Sequence, residues 1–84
     1  MTYRIEVASA ARRALRGFPR PLLPKIDAAI LGLAQDPRPS GCLKLSGREA
    51  WRIRVGDYRI IYEIHDGILL VMVVDLGHRR EIYR

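Results

Sequence analysis

The chain opens with a period of two. In "TYRIEV", Thr2 to Val7, the residues Tyr3, Ile5 and Val7 fall on one side and Arg4 and Glu6 on the other, the alternation of a half-buried strand. The period then lengthens. Ala11, Ala14 and Leu15 recur at helical spacing in "AARRALRG", with Ser9 placed to cap that helix and Gly17 to end it. Leu22, Ile26, Ala29, Ile30 and Leu33 continue helical spacing in a second segment, whose first turn accommodates Pro19, Pro21 and Pro24 and which Asp36 and Pro37 stop. Two helices so close in sequence form a helical hairpin, and its apolar stripe needs a sheet to lie on.

The C-terminal half returns to alternation. Gly56-Asp57 separates "WRIRV" from "YRIIYEIH", and Asp66-Gly67 separates that run from "ILLVMVVDL". Both read as two-residue hairpin loops. The last run is apolar on both faces from Ile68 to Val74, the mark of an interior strand. The first strand is then left to close an edge. The expected fold is α+β, one domain over residues 1–84. It comprises a small antiparallel sheet of about four strands, in the order β-α-α-β-β-β, with the helical hairpin packed on one face.

The first hairpin fixes a register with a chemical consequence. If Gly56 and Asp57 are the loop, Val55 faces Tyr58, Arg54 faces Arg59, Ile53 faces Ile60 and Arg52 faces Ile61. Trp51, Ile53, Val55, Tyr58, Ile60 and Tyr62 then share the face that meets the helices. Arg52, Arg54 and Arg59 emerge together on the other. Like charges directly opposed on a sheet are destabilising, so such a cluster needs either acids such as Glu63 to neutralise it, solvent to screen it, or an anion to hold. Guanidinium forks suit phosphate oxygens and stay charged at any relevant pH.

Charge points the same way. The 84 residues carry 15 Lys and Arg against 9 Asp and Glu, a net charge of +6 that is nearly all arginine. A polyanionic partner follows from that balance, whether nucleic acid, an acidic protein or a membrane surface, and charge alone does not choose among them. In "DLGHRREIYR", after the last strand, His78, Arg79, Arg80, Tyr83 and Arg84 gather cations, an imidazole and a ring that can stack on an unpaired base. The single cysteine, Cys42, reads as a small loop residue, and with no disulfide to form it sets a cytoplasmic expectation. Neither a signal peptide nor a membrane span is expected from "MTYRIEVASAARRALRG". No Cys/His cluster, HExxH, carboxylate pair or glycine-rich phosphate loop stands out, so neither a metal nor any other cofactor is expected.

With "DPRPSGCLKLSG", "WRIRVGDYRIIYEI" and "VVDLGHRREIY" in this order, the chain resembles the RelE toxins of bacterial toxin–antitoxin modules, within the RelE/ParE superfamily. The resemblance covers almost the whole chain and implies a ribosome-dependent, metal-independent mRNA endonuclease. In that chemistry the RNA 2′-hydroxyl attacks the neighbouring phosphate in line, leaving a 2′,3′-cyclic phosphate and a 5′-hydroxyl. The family's catalytic positions fall here on Arg52, Arg54, Arg59, Arg79 and Tyr83. Lys44, Arg48, Arg80 and Arg84 are the further cations expected to contact RNA. The paired strand positions are often lysine in the family, and arginine cannot realistically give up its proton. Arg52, Arg54 and Arg59 are therefore assigned to the phosphate and its transition-state charge, and proton transfer to Tyr83 or to His78, since histidine exchanges protons near neutral pH. The same scaffold also carries DNA gyrase inhibitors of the ParE type, and a catalytically weak basic binding module is a third reading. The resemblance further implies a small RelB-like antitoxin that masks the basic cleft in a hetero-oligomer, with ribosome and mRNA as the targets and no membrane partner.

Overall fold

A computed structural model describes residues 2–78. The elements run β1 (Arg4–Val7), α1 (Ser9–Arg16), a short 3-10 turn (Arg20–Leu22), α2 (Leu23–Gln35), β2 (Leu43–Lys44), β3 (Trp51–Val55), β4 (Tyr58–His65), a second 3-10 turn (Asp66–Ile68) and β5 (Leu70–His78). The strands form one five-stranded sheet in the order β1-β5-β4-β3-β2. The α+β architecture and the helical hairpin on one face are as the periodicity predicts.

The core lies between the helices and that face. Ala11 of α1 and Ile26, Ile30 and Leu33 of α2 meet Ile53, Ile60, Tyr62, Val71, Val73 and Leu76 of the sheet, all buried. These helix positions recur every three or four residues, which is why they share one stripe. Pro24 sits within the first turn of α2, where its missing N–H leaves no intrahelical bond unmade. At the other end the Ala34 carbonyl accepts from the Tyr3 N–H at 2.8 Å, tying α2 to β1. Ser9 is the first residue of α1 and makes no side-chain cap; Ala8 occupies the cap position.

Three features depart from the expected sheet. First, the sheet is mixed: β1 lies at the edge beside β5, as expected, but runs parallel to it, with Arg4 opposite Leu70 and Val7 opposite Val73. A tight turn imposes antiparallel pairing, whereas β1 reaches the sheet only through the helical hairpin, and alternation carries no information about direction. Second, Leu43 and Lys44 add a fifth strand on Arg52 and Trp51, too short to produce any periodicity. Third, His65 pairs with Leu70, so the second hairpin loop has four residues instead of the two at Asp66-Gly67. A 3-10 turn begins at Asp66, and Leu69 takes the left-handed conformation at φ 50° to re-enter the strand.

The β4–β5 ladder also contains a bulge. Tyr62 pairs with Val73 but Ile61 pairs with Asp75, leaving Val74 as the extra residue. One added residue inverts the alternation beyond it. Val73 and Leu76, three apart, therefore both reach the core.

Candidate functional site

The hairpin of β3 and β4 has the register the two-residue turn requires. Gly56, at φ 60°, supplies a backbone conformation that side chains rarely adopt, and Val55 pairs with Tyr58 across it. Arg54 lies opposite Arg59 and Arg52 opposite Ile61. Ile53, Ile60 and Tyr62 belong to the core, so the three arginines occupy the sheet face away from the helices. Directly opposed Cβ atoms on a sheet are about 4.5–5.5 Å apart and diagonal ones about 7–8 Å, so the three arginines start from neighbouring positions on that face.

Two rows of side chains cross this face. One runs Arg54, Arg59, Gly77, and the other Leu43, Arg52, Ile61, Asp75. Ile61 is buried although it is on this side, and Arg52 and Arg59 beside it are half-buried. Arg54 is exposed. It makes no hydrogen bond or ion pair with any described residue. Of the acids on this face, Asp75 accepts from the Leu76 N–H at 2.9 Å and Glu63 pairs with His65 at 2.9 Å, while Arg52 and Arg59 each have partners of their own. Glu63, the acid the sequence offered as neutraliser of the cluster, is thus turned to its own strand neighbour.

His78 does not join the arginines. It pairs with Tyr58 at the end of the ladder and so lies on the helix face, where its ring meets the Tyr58 ring edge-on at 5.4 Å. The bulge at Val74 is the reason, because uninterrupted alternation from Val73 puts position 78 on the arginine side. Lys44 is likewise on the helix side of the sheet, opposite Trp51, with its ammonium 3.4 Å from Glu49. Arg48 is exposed in the loop between β2 and β3. Arg79, Arg80, Tyr83 and Arg84 lie outside the described residues.

A second arginine site was invisible in the sequence. Arg38, in the loop after α2, donates to both Asp66 oxygens, at 2.9 and 3.4 Å, and Asp66 also accepts from the Tyr3 hydroxyl at 2.5 Å. The Arg38 guanidinium lies 5.2 Å from the centroid of the Trp51 ring. Beside it the buried Tyr62 hydroxyl donates to the Pro37 carbonyl at 2.7 Å. The hydrogen bonds from Arg38 and Tyr3 hold the Asp66 carboxyl below the usual carboxylate range, and the same bond to Asp66 pushes the Tyr3 phenol up. Burial raises the Tyr62 phenol well above its ordinary value, so it remains a donor. This constellation joins the residue before β1, the post-helical loop, β3 and the β4–β5 turn.

The ParE toxin model of the parDE type II toxin–antitoxin system matches residues 5–83. The chain belongs to that family. As a RelE/ParE-superfamily toxin it is also 31% identical over 86 residues to the toxin RelG of Mycobacterium tuberculosis, covering 100% of this chain and 99% of the relative. Among solved structures, the RelE–RelB complex of Pyrococcus horikoshii matches at 26% identity with a TM-score of 0.84, over 96% of this toxin and 99% of that chain. The RelBE2 toxin–antitoxin complex of M. tuberculosis matches at 24% identity with the same TM-score of 0.84, over 94% and 100%, and shares the fold. No helix among the described residues is long and apolar enough to cross a membrane.

Proposed function

We propose that this toxin is a ribosome-dependent, metal-independent mRNA endonuclease held in check by a RelB-like antitoxin. The observation that carries the proposal is the convergence of Arg52, Arg54 and Arg59 on one sheet face, with Arg54 opposite Arg59 and exposed without a protein partner among the described residues. A fold does not keep like charges opposed for stability's sake. The arginines bind the scissile phosphate, and their fixed donors meet the charge that builds on its oxygens as the 2′-oxygen attacks and the 5′-oxygen departs. The attacking hydroxyl loses its proton to a base, the bond to the 5′-oxygen breaks, and that oxygen gains a proton. Arginine is unsuited to either transfer. With His78 on the helix face, the transfers fall to Tyr83, and Arg79 completes the cation set.

The test is primer extension on mRNA programmed into purified ribosomes. Cleavage at the A-site codon, weakened strongly by Arg79→Ala or Tyr83→Phe, is expected. Intact mRNA with the wild-type toxin overturns the proposal. A second reading, a gyrase poison, is favoured by the match to the ParE family model. Supercoiling and DNA-cleavage assays with gyrase separate the two, since an endonuclease leaves both unchanged. The structures of RelB-bound relatives support an antitoxin partner for this chain. Copurification with the product of the neighbouring gene checks it.

A further inference from the structure

The arginine face carries acids as well as cations. Among the described residues Glu6 of β1 and Glu63 of β4 share one row of it across Met72, and Asp75 of β5 lies nearer the arginines, in the row of Ile61 and Arg52. Two of these three acids have basic partners. Glu6 pairs with Arg4 at 3.1 Å and Glu63 with His65 at 2.9 Å. Asp75 has no ion pair among the described residues. Its Oδ1 accepts from the Leu76 N–H at 2.9 Å, and the side chain is half-buried.

The register sets this carboxylate beside the cations. Ile61 separates it from Arg52 within one row, and Gly77, two residues further along β5, lies opposite Arg59. Arg59 and Asp75 are therefore diagonal neighbours, the relation that puts Cβ atoms about 7–8 Å apart and within reach of long side chains. The bulge at Val74 produces the placement, because it sends Leu76 to the core and leaves Asp75 on the opposite face. The charged groups nearest Asp75 in the register are Arg59 and Glu63 on β4 and Arg52 on β3, while α1 packs on the other face of β5.

In-line displacement puts the attacking 2′-oxygen and the departing 5′-oxygen on opposite sides of phosphorus, so two groups are needed to exchange protons with both. Guanidinium groups suit neither task, whereas a carboxylate can take a proton. We propose that Asp75 is the general base. It takes the proton of the 2′-hydroxyl as the 2′-oxygen bonds to phosphorus, and Tyr83 gives its proton to the 5′-oxygen as the bond from phosphorus to that oxygen breaks. The inference rests on the endonuclease reading and divides the two transfers that reading requires. Cleavage leaves a protonated Asp75 and a Tyr83 phenolate, and exchange of one proton through solvent restores both.

Asp75→Asn tests the assignment, because the amide oxygen keeps the acceptor for the Leu76 N–H and only the base is lost. In single-turnover cleavage of mRNA on programmed ribosomes its rate should fall about 100-fold or more near pH 7. The deficit should narrow as pH rises, since hydroxide replaces the missing base, and Asp75→Glu should regain part of the rate. Affinity for a fully 2′-O-methylated oligoribonucleotide, which cannot supply the attacking hydroxyl, should be unchanged or tighter, because a negative charge has left the cationic face. A rate within about threefold of wild type, well short of what a general base contributes, overturns the proposal and leaves the endonuclease reading standing. So does a loss that is the same at every pH, or one matched by a fall in RNA affinity or thermal midpoint, which makes Asp75 a structural counter-charge. Intact mRNA with the wild-type toxin rejects the endonuclease reading itself, and the role of Asp75 with it.

Discussion

Arg38 and Arg54 lie on opposite faces of the sheet and share a side chain, but their surroundings assign them opposite work. Arg38 has a carboxylate at two points, an indole beneath it and a neighbouring tyrosine competing for the same acid. Arg54 has a second arginine across the ladder and no protein acceptor among the described residues. An arginine whose donors are matched within the fold is architecture. On the proposed function, an arginine held against its own kind is poised for an anion from outside, and the electrostatic penalty of the pairing is relieved when that anion arrives.

The contrast can be broken at its functional end with the largest effect. Arg54→Ala should lower A-site cleavage about 100-fold or more, as expected for a preorganised donor to transition-state charge. Its thermal midpoint should stay level or rise, since a like-charge pair worth about a few tenths of a kcal/mol is removed. A matching fall in stability would make Arg54 structural. At the other end, Tyr62→Phe leaves the Pro37 carbonyl without its donor and should cost about 1–3 kcal/mol in urea unfolding, with cleavage retained.

Smaller effects sharpen the distinction. Arg38→Ala should lower the unfolding midpoint by less than Tyr62→Phe does, because the Arg38–Asp66 pair is about half exposed. Acid should expose the same pair. Asp66 has a lowered carboxyl in the folded protein, so its contribution is complete above the unfolded value of about 3.9 and is lost as pH falls through the folded value below it. An Asp66→Asn variant should show a shallower loss of stability over that range in an acid titration followed by circular dichroism. Smallest of all, Arg52→Lys/Arg54→Lys should change cleavage by less than about tenfold, because a point charge still reaches the phosphate. A large gain would identify the natural toxin as a catalytically weakened one.

How far the chain could be read without its structure depended on whether local rules decide the geometry. The Arg54–Arg59 pairing follows from a two-residue turn and a period of two, both local, and the register came out as written. The core stripe of α2 was legible for the same reason. The direction of β1 was not, because it is fixed by partners some 66 residues away. The position of His78 was lost to a single bulged residue, since parity on a strand is unforgiving of one insertion. The Arg38–Asp66–Tyr3 constellation draws on residues from three separated segments, and nothing in the neighbourhood of any one of them announces the others.

The parallel pairing of β1 with β5 has a consequence for biosynthesis. β1 finds its sheet partner only in residues 70–73, some 66 residues further along the chain. Such a contact closes late and slowly. During translation the strand at residues 4–7 has no neighbour to pair with until residues 70–73 have emerged. A fold assembled in that order lacks its edge strand until the segment that holds β5 is in place.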